Sequence, residues 1–240
     1  MKQLGLIGRN ISYSFSKKYF EAKFRKLLIK TVDYSIFDIK DIAEVETLFQ
    51  RPHLVGFNVT IPYKVQIIKY LDALSAEAEA IGAVNTVAVV EGKKIGYNTD
   101  AFGFEKTLNL HQKPHHHSAL IFGDGGAAQA VKYVLNQKNI PYQVVSRAGE
   151  LTFENLDAAV IKDHPILIQC TPVGTFPNVE DTLPLPLEGV SDQHLAIDLI
   201  YNPEQTQFLK NAAQKGAKTA NGLLMLEQQA EKAWEIWNLE

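Results

Sequence analysis

The stretch Leu120-Ile121-Phe122-Gly123-Asp124-Gly125-Gly126-Ala127-Ala128 decides the fold of this chain. The apolar run Ala119–Phe122 reads as a buried strand, and Ala127–Asn136 after it reads as a helix. Gly123, Gly125 and Ala128 fall on the G-x-G-x-x-G/A spacing across the joint. Each small residue has a physical task. Gly123 permits a tight turn, Gly125 lets backbone approach a pyrophosphate, and Ala128 lets the helix pack closely on the strand. The helix start adds unpaired N–H groups, among them those of Gly126 and Ala127, and a partial positive charge. A glycine-rich turn alone is equally compatible with a merely structural bend. The legible strand before it and helix after it make a dinucleotide site the better reading.

The next strand, Tyr142–Val145, bears on which dinucleotide is bound. Folds specific for NAD usually place Asp or Glu about 20 residues beyond the turn, where it accepts from the ribose 2′-hydroxyl. This chain instead has Ser146-Arg147. A guanidinium suits a 2′-phosphate by charge and by its forked donors. The competing readings are a solvated surface arginine and a ribose contact from Glu150. On balance the pattern predicts NADP.

Working outward, short apolar strands alternate with amphipathic stretches throughout. Leu4–Ile7, Val32–Phe37 and Val55–Val59 read as strands; Lys17–Leu28, with Ser16 as N-cap, Ile42–Phe49 and Tyr63–Leu71 read as helices. Val84–Val90 and Lys94–Tyr97, joined by Glu91-Gly92-Lys93, form a hairpin pattern. Beyond the glycine-rich turn, Ile166–Gln169 and Leu195–Leu199 are further strands, and Leu223–Trp237 closes the chain as an amphipathic helix. The expectation is an α/β protein with two α/β lobes that meet near Asp100–Gly103.

Composition narrows the class. The chain has 240 residues, 46% hydrophobic and 21% charged, with a net charge of −3. That is enough apolar material for two cores. The charges are scattered, so no basic stripe for nucleic acid is expected. No apolar run approaches the roughly 20 residues of a membrane span, and the run at Leu4–Ile7 is too short for a secretory signal. A single cysteine, Cys170, excludes an intrachain disulfide and suits a reducing compartment. A cytoplasmic protein is expected. Consecutive His115, His116 and His117 converge poorly on one ion, so the reading is a solvated loop with no metal.

Three places in the first lobe put polar residues near strand ends. Ser14 and Ser16 can present two hydroxyls together if the chain there is extended; helix capping explains them equally well. Asn58 and Thr60 share a strand face, and Pro62 then introduces the following helix. Lys64 falls in that helix's first turn, where it opposes the helix dipole. Asn85 and Asp100 lie where a hairpin meets a helix or loop, and Asp100 can serve simply as a cap.

Taken together and in order, these segments resemble the shikimate dehydrogenase family. The matching runs are Ser14-Phe15-Ser16, Asn58-Val59-Thr60-Ile61-Pro62-Tyr63-Lys64, Gly82-Ala83-Val84-Asn85-Thr86 and Asn98-Thr99-Asp100. They continue with Gly123–Ala127, Cys170-Thr171-Pro172-Val173-Gly174, Asp198-Leu199-Ile200-Tyr201-Asn202-Pro203 and Asn221–Ala230. The resemblance implies NADPH-dependent reduction of 3-dehydroshikimate to shikimate by a monomer or homodimer. It implies a substrate lobe at residues 1–101, closed by a C-terminal helix at 222–240, and a Rossmann-like NADP lobe at 102–221. Substrate would meet Ser14, Ser16, Thr60, Asn85, Tyr201 and Gln229, with Lys64 and Asp100 catalytic. NADP would meet Gly123, Gly125, Gly126, Ala127, Ser146, Arg147, Thr171 and Gly222.

Reduction of a ketone creates an alkoxide that needs a proton, and a positioned acid typically contributes about 10²–10⁴-fold. Lys64 is suited to give that proton, since a carboxylate such as Asp100 favours the ammonium form while burial opposes it. An NAD-preferring quinate/shikimate enzyme is the alternative in the same class. A nucleotide-binding regulator without catalysis is the alternative outside it. The chain departs from the family pattern in four places. Ser146-Arg147-Ala148 replaces Asn-Arg-Thr, Thr175 stands for the usual Met, and Asn221 for the usual Asp. The segment from Arg147 to Gln169 is also short, so a strand-helix unit is expected to be reduced, with Leu151–Ile161 its remnant.

Overall fold

The computed structural model describes residues 1–11 and 14–237. The chain forms two compact units. One comprises Met1–Thr99 and the segment from Ala230 onward, and the other comprises Asp100–Gln229.

The first unit is built on a six-stranded sheet of order β2-β1-β3-β5-β6-β4. Its strands are β1 (Lys2–Gly8), β2 (Val32–Asp38), β3 (Gly56–Val59), β4 (Ala73–Leu74), β5 (Thr86–Val90) and β6 (Lys93–Tyr97). β1 runs parallel to β2 and to β3, while β5 is antiparallel to both β3 and β6. The β5–β6 hairpin turns through Glu91 and Gly92, both at positive φ, as a tight two-residue turn requires. This topology gathers four chain ends on one edge of the sheet. The carboxyl ends of β1, β3 and β6 lie there with the amino end of β5, because Asn58 pairs with Thr86 and Thr86 with Tyr97.

Both faces of this sheet are covered. One carries Ile7, Val45, Phe57, Tyr63 and Ile67. The other carries Leu4, Phe20 and Tyr34 against Ala233, Trp234 and Trp237 of the last helix. Phe20 and Tyr34 stack with ring centres 4.6 Å apart. Trp237 Nε1 donates to the Val87 carbonyl at 2.9 Å, and a side chain at Gly56 would collide with that indole.

Two sequence expectations fail here. Helix α1 spans Phe15–Lys26, and Ser14 rather than Ser16 is its N-cap, its hydroxyl accepting from Ser16 N at 3.2 Å. The two serines therefore do not alternate along extended chain. The helix expected over Tyr63–Leu71 is a 3₁₀ turn over Gln66–Tyr70. The Lys64 carbonyl is engaged by Val84 N at 2.7 Å, and Ile68 N bonds instead to Val65 O. An α-helix cannot start at Lys64 under those bonds, so neither Pro62 nor Lys64 sits in a helical first turn.

The second unit holds a five-stranded, all-parallel sheet of order β11-β10-β9-β7-β8. Its strands are β7 (Ala119–Phe122), β8 (Tyr142–Val145), β9 (Ile166–Gln169), β10 (Leu195–Asp198) and β11 (Lys218–Ala220). The crossovers that parallel strands need include α5 (Gly126–Gln137), α6 (Ala158–Asp163) and α7 (Gln207–Gln214). Strand order reverses at β7, which places a switch point at its carboxyl end, where open α/β sheets bind ligands. As the short segment after Arg147 foretells, among the described residues no further strand follows β8 on its outer side. A single parallel bridge, Val145 to Leu151, covers that edge, and α6 is only six residues long. The unit also contains α4 (Asp100–His111), and α8 (Leu223–Trp237) starts within it.

His116 corrects a third expectation. His115 and His117 are exposed, but His116 is buried, 2% exposed. Its Nδ1 accepts from Lys113 N at 3.0 Å. Burial, with the neighbouring charges of His115, Lys113 and His194, pushes its pKa down to about 4. Among the described residues no group of three or more His, Cys, Asp or Glu is placed to hold a metal ion, and no helix is long and apolar enough to cross a membrane.

Candidate active site

In the first unit the polar residues singled out by sequence collect at the sheet edge described above. Thr60 follows β3, its N–H donating to Ile7 O at 2.9 Å while its carbonyl accepts from Tyr63 N at 2.9 Å. Tyr63 is fully buried and anchors this turn, because its hydroxyl donates to the Ile39 carbonyl at 2.8 Å and accepts from Arg9 Nε at 3.2 Å. Lys64, half-buried, is thus tied on both sides: through the Tyr63 anchor and through its own carbonyl. The Ser14 N–H bonds to Ile11 O, and the N–H groups of Asn10 and Ile11 converge on the Asp38 carboxylate at 2.8 and 3.2 Å. Asp38 therefore fixes the backbone of Asn10 and Ile11.

Asn85 is the most constrained of the set. It is 2% exposed. Its Oδ1 accepts from Thr99 N at 2.7 Å, and its Nδ2 donates to Thr99 Oγ1 at 3.0 Å. Buried amides must be satisfied in this way or cost roughly 1–3 kcal/mol, so the orientation of Asn85 is built in. Asn98 Nδ2 likewise donates to Ala83 O at 2.9 Å.

In the second unit the glycine-rich turn behaves as its spacing implies. Gly123 has a φ of +100°, and a Cβ there would lie 2.8 Å from the Thr171 methyl. Gly125 is extended and caps α5, and a Cβ there would meet nothing within 4 Å. Open space beside the free N–H groups of Gly126 and Ala127 is what a pyrophosphate requires, so these residues fit a dinucleotide. Asp124, in the same turn, is drawn toward α5 by Gln129 Nε2 at 3.0 Å and by an ion pair with Lys132. Ser146 and Arg147 follow β8, and Arg147 is exposed. Thr171 follows β9, and its Oγ1 accepts from Val173 N at 3.3 Å. Gly222 is required by packing, since a Cβ there would sit 2.1 Å from Leu199 O.

Asp100 starts α4 and is 2% exposed, Tyr201 follows β10, and Gln229 lies within α8. Thr175, which departs from the family pattern, donates its hydroxyl to Asn202 O at 3.3 Å. Asn221 also departs from it, yet its Oδ1 accepts from Leu223 N at 3.1 Å and so caps α8. Burial pushes the Cys170 thiol up, which disfavours the thiolate that attack requires.

Sequence reasoning missed a buried pair beneath these loops. Asp198, fully buried, accepts from Thr206 Oγ1 at 2.6 Å, Gln169 Nε2 at 2.8 Å and Ile200 N at 2.9 Å. Gln169 also donates to Val173 O at 3.1 Å. The pair thereby ties the loop bearing Thr171 to the loop bearing Tyr201. Burial pushes the Asp198 carboxyl up to about 7, against the pull of its three hydrogen bonds. The available signal was a polar residue at the end of each of two otherwise apolar strands.

Comparison with known proteins agrees with this geometry. The family model described as the shikimate dehydrogenase substrate binding domain matches residues 6–87. The protein named shikimate dehydrogenase (NADP(+)) of Methanococcus maripaludis is 38% identical over 262 aligned positions, spanning 98% of this chain and 91% of its own. The protein of the same name from Clostridium perfringens is 37% identical, spanning 99% and 93%. A crystal structure of shikimate 5-dehydrogenase from Thermus thermophilus in complex with NADP(H) and shikimate superposes with a TM-score of 0.87 at 30% identity, covering 99% of this chain and 93% of that one. Similarity of this extent is not confined to one motif or one unit, and the chain belongs to the shikimate dehydrogenase family.

Proposed function

We propose that this protein interconverts 3-dehydroshikimate and shikimate with NADP(H), as a cytoplasmic monomer or homodimer. The observation that carries the reading is near-full-length membership of a family of NADP-dependent enzymes combined with retention of both Lys64 and Asp100. When bound, NADPH supplies the hydride that converts the ketone to a secondary alcohol. Everything else falls to the chain. Residues 1–99 with the C-terminal segment form the substrate unit, and residues 100–229 form the cofactor unit. Ser14, Ser16, Thr60, Asn85, Tyr201 and Gln229 hold the substrate's hydroxyl and carboxylate groups. Gly123, Gly125, Gly126 and Ala127 receive the pyrophosphate, Ser146 and Arg147 the 2′-phosphate, and Thr171 and Gly222 the nicotinamide half.

Lys64 Nζ gives its proton to the carbonyl oxygen as the carbon–hydrogen bond forms, so the nascent alkoxide leaves as a hydroxyl. In the oxidative direction the neutral amine takes that proton back. Asp100 is the second member of the catalytic pair, the carboxylate that accompanies Lys64. The anchoring of the Lys64 backbone supports this role, because general acids act through position first. An absorbance assay of NADP reduction with shikimate and with quinate in parallel tests the proposal. Turnover of shikimate is expected; turnover of quinate alone, or of neither, would overturn it.

A further inference from the structure

Beneath the proposed substrate residues of the first unit runs a chain of buried polar groups that no sequence motif announces. It starts at Tyr34 on β2, which is 1% exposed. The Tyr34 hydroxyl donates to Asn58 Oδ1 at 2.8 Å. Asn58 Nδ2 donates to Thr86 Oγ1 at 3.1 Å and lies 3.4 Å from the Asn85 carbonyl. Thr86, fully buried, passes its own proton to Asn85 Oδ1 at 3.2 Å or shares it with Thr99 Oγ1 at 3.3 Å.

The directions of both amides in this chain are forced. The Asn85 carbonyl can only accept, so the Asn58 amide must turn its Nδ2 toward it and its Oδ1 toward Tyr34. With Oδ1 there, Tyr34 must donate. At the other end Thr99 N fixes Asn85 Oδ1, so the Asn85 Nδ2 donor also has one direction only. An apolar residue at 34 would pack equally well against Phe20 and Trp237. The hydroxyl is therefore not required for packing, and burying it is costly unless it is bonded.

We propose that Tyr34 is a positioning residue, which through Asn58, Thr86 and Asn85 sets the donor directions of the substrate seat. It touches no substrate itself. The inference rests on the reading of Asn85 as a substrate ligand. It gives the seat a rigidity that separate surface hydroxyls would lack, because each amide and hydroxyl has a neighbour that dictates its orientation.

The test is steady-state kinetics of Tyr34→Phe, which keeps the ring and removes only the hydroxyl. The KM for shikimate should rise about tenfold, the effect of losing one orienting neutral hydrogen bond. The KM for NADP should stay within twofold, as a merely structural defect would not spare one substrate. Thr86→Val interrupts the same chain without changing side-chain shape and should show the same split; it decides the matter if Tyr34→Phe does not fold. Normal shikimate KM in the folded variants, or equal rises in both KM values, overturns the inference while the parent's turnover leaves the proposed function standing. Absence of shikimate turnover by the parent overturns both.

Discussion

Replacing Gly123 and Gly125 separately by alanine should divide the glycine-rich turn into a part that serves the fold and a part that serves the cofactor. At Gly123 the backbone is left-handed at φ +100°, a conformation that costs a residue with a Cβ roughly 1–2 kcal/mol. The new methyl would also lie 2.8 Å from Thr171 Cγ2, and overpacking of that kind adds about 1–3 kcal/mol. The stiffer unfolded chain returns about 0.4–1 kcal/mol, so the net loss is about 1–5 kcal/mol. Against a typical total of roughly 5–15 kcal/mol that is a readily measured shift in a urea titration. At Gly125 the methyl meets no atom within 4 Å, and the lost cap preference roughly cancels the entropic gain. Gly125→Ala should therefore unfold within about 1 kcal/mol of the parent. Its methyl points into the space reserved for the pyrophosphate, so calorimetric NADP affinity should fall about 10–100-fold. A Gly123→Ala protein as stable as the parent, or a Gly125→Ala protein that binds NADP normally, would refute the reasoning.

Other expectations follow from the same structure. Lys64→Ala should lower kcat by about 10²–10⁴-fold while leaving shikimate KM within a fewfold of the parent, and near-normal turnover would remove Lys64 from the chemistry. Arg147→Gln should raise the KM for NADP about tenfold, the value of one charge-assisted contact, and leave NAD turnover unchanged; equal effects on both cofactors would contradict the assignment. His116 has a folded pKa of about 4 against about 6.5 in an unfolded chain. Between these values the unfolded state takes up a proton that the folded state refuses. Stability should thus fall as pH drops from about 6.5 to 4, by roughly 3 kcal/mol at most. Urea titrations at both ends of that range should show a smaller loss for His116→Gln, and an identical loss would exclude His116 as the source.

Much of this was legible in the residues, for identifiable reasons. The sheet of the second unit was readable because parallel strands buried on both faces are nearly continuous apolar runs, as in Ala119–Phe122 and Ile166–Gln169. The turn at Gly123 was readable because its requirement is steric and local. The missing strand after β8 was visible as a shortage of residues after Arg147. What could not be read depended on partners distant in sequence. Lys64 is held outside a helix by Val84, twenty residues on, and a periodicity argument has no access to that bond. Ser14 and Ser16 were exchangeable as caps until the backbone at Ile11 and Asp38 fixed the start of α1. His116 reads as one of three equivalent histidines, and only the turn from Lys113 sends it inward. Tyr34 reads as an ordinary core aromatic, since nothing on β2 reveals that its hydroxyl faces Asn58 on β3. Asp198 and Gln169 were quoted or passed over as strand ends, and their bond joins two loops that are far apart along the chain.

Isotope labelling reads hydride transfer between shikimate and NADP directly. Shikimate carrying deuterium at the carbinol carbon that becomes the ketone should be incubated with the protein and NADP, and the reduced cofactor examined by mass spectrometry. Full recovery of the deuterium in NADPH, with loss of the label from the sugar-like ring, is the predicted result. Unlabelled NADPH, or no NADPH at all from a folded protein that binds both molecules, would contradict it.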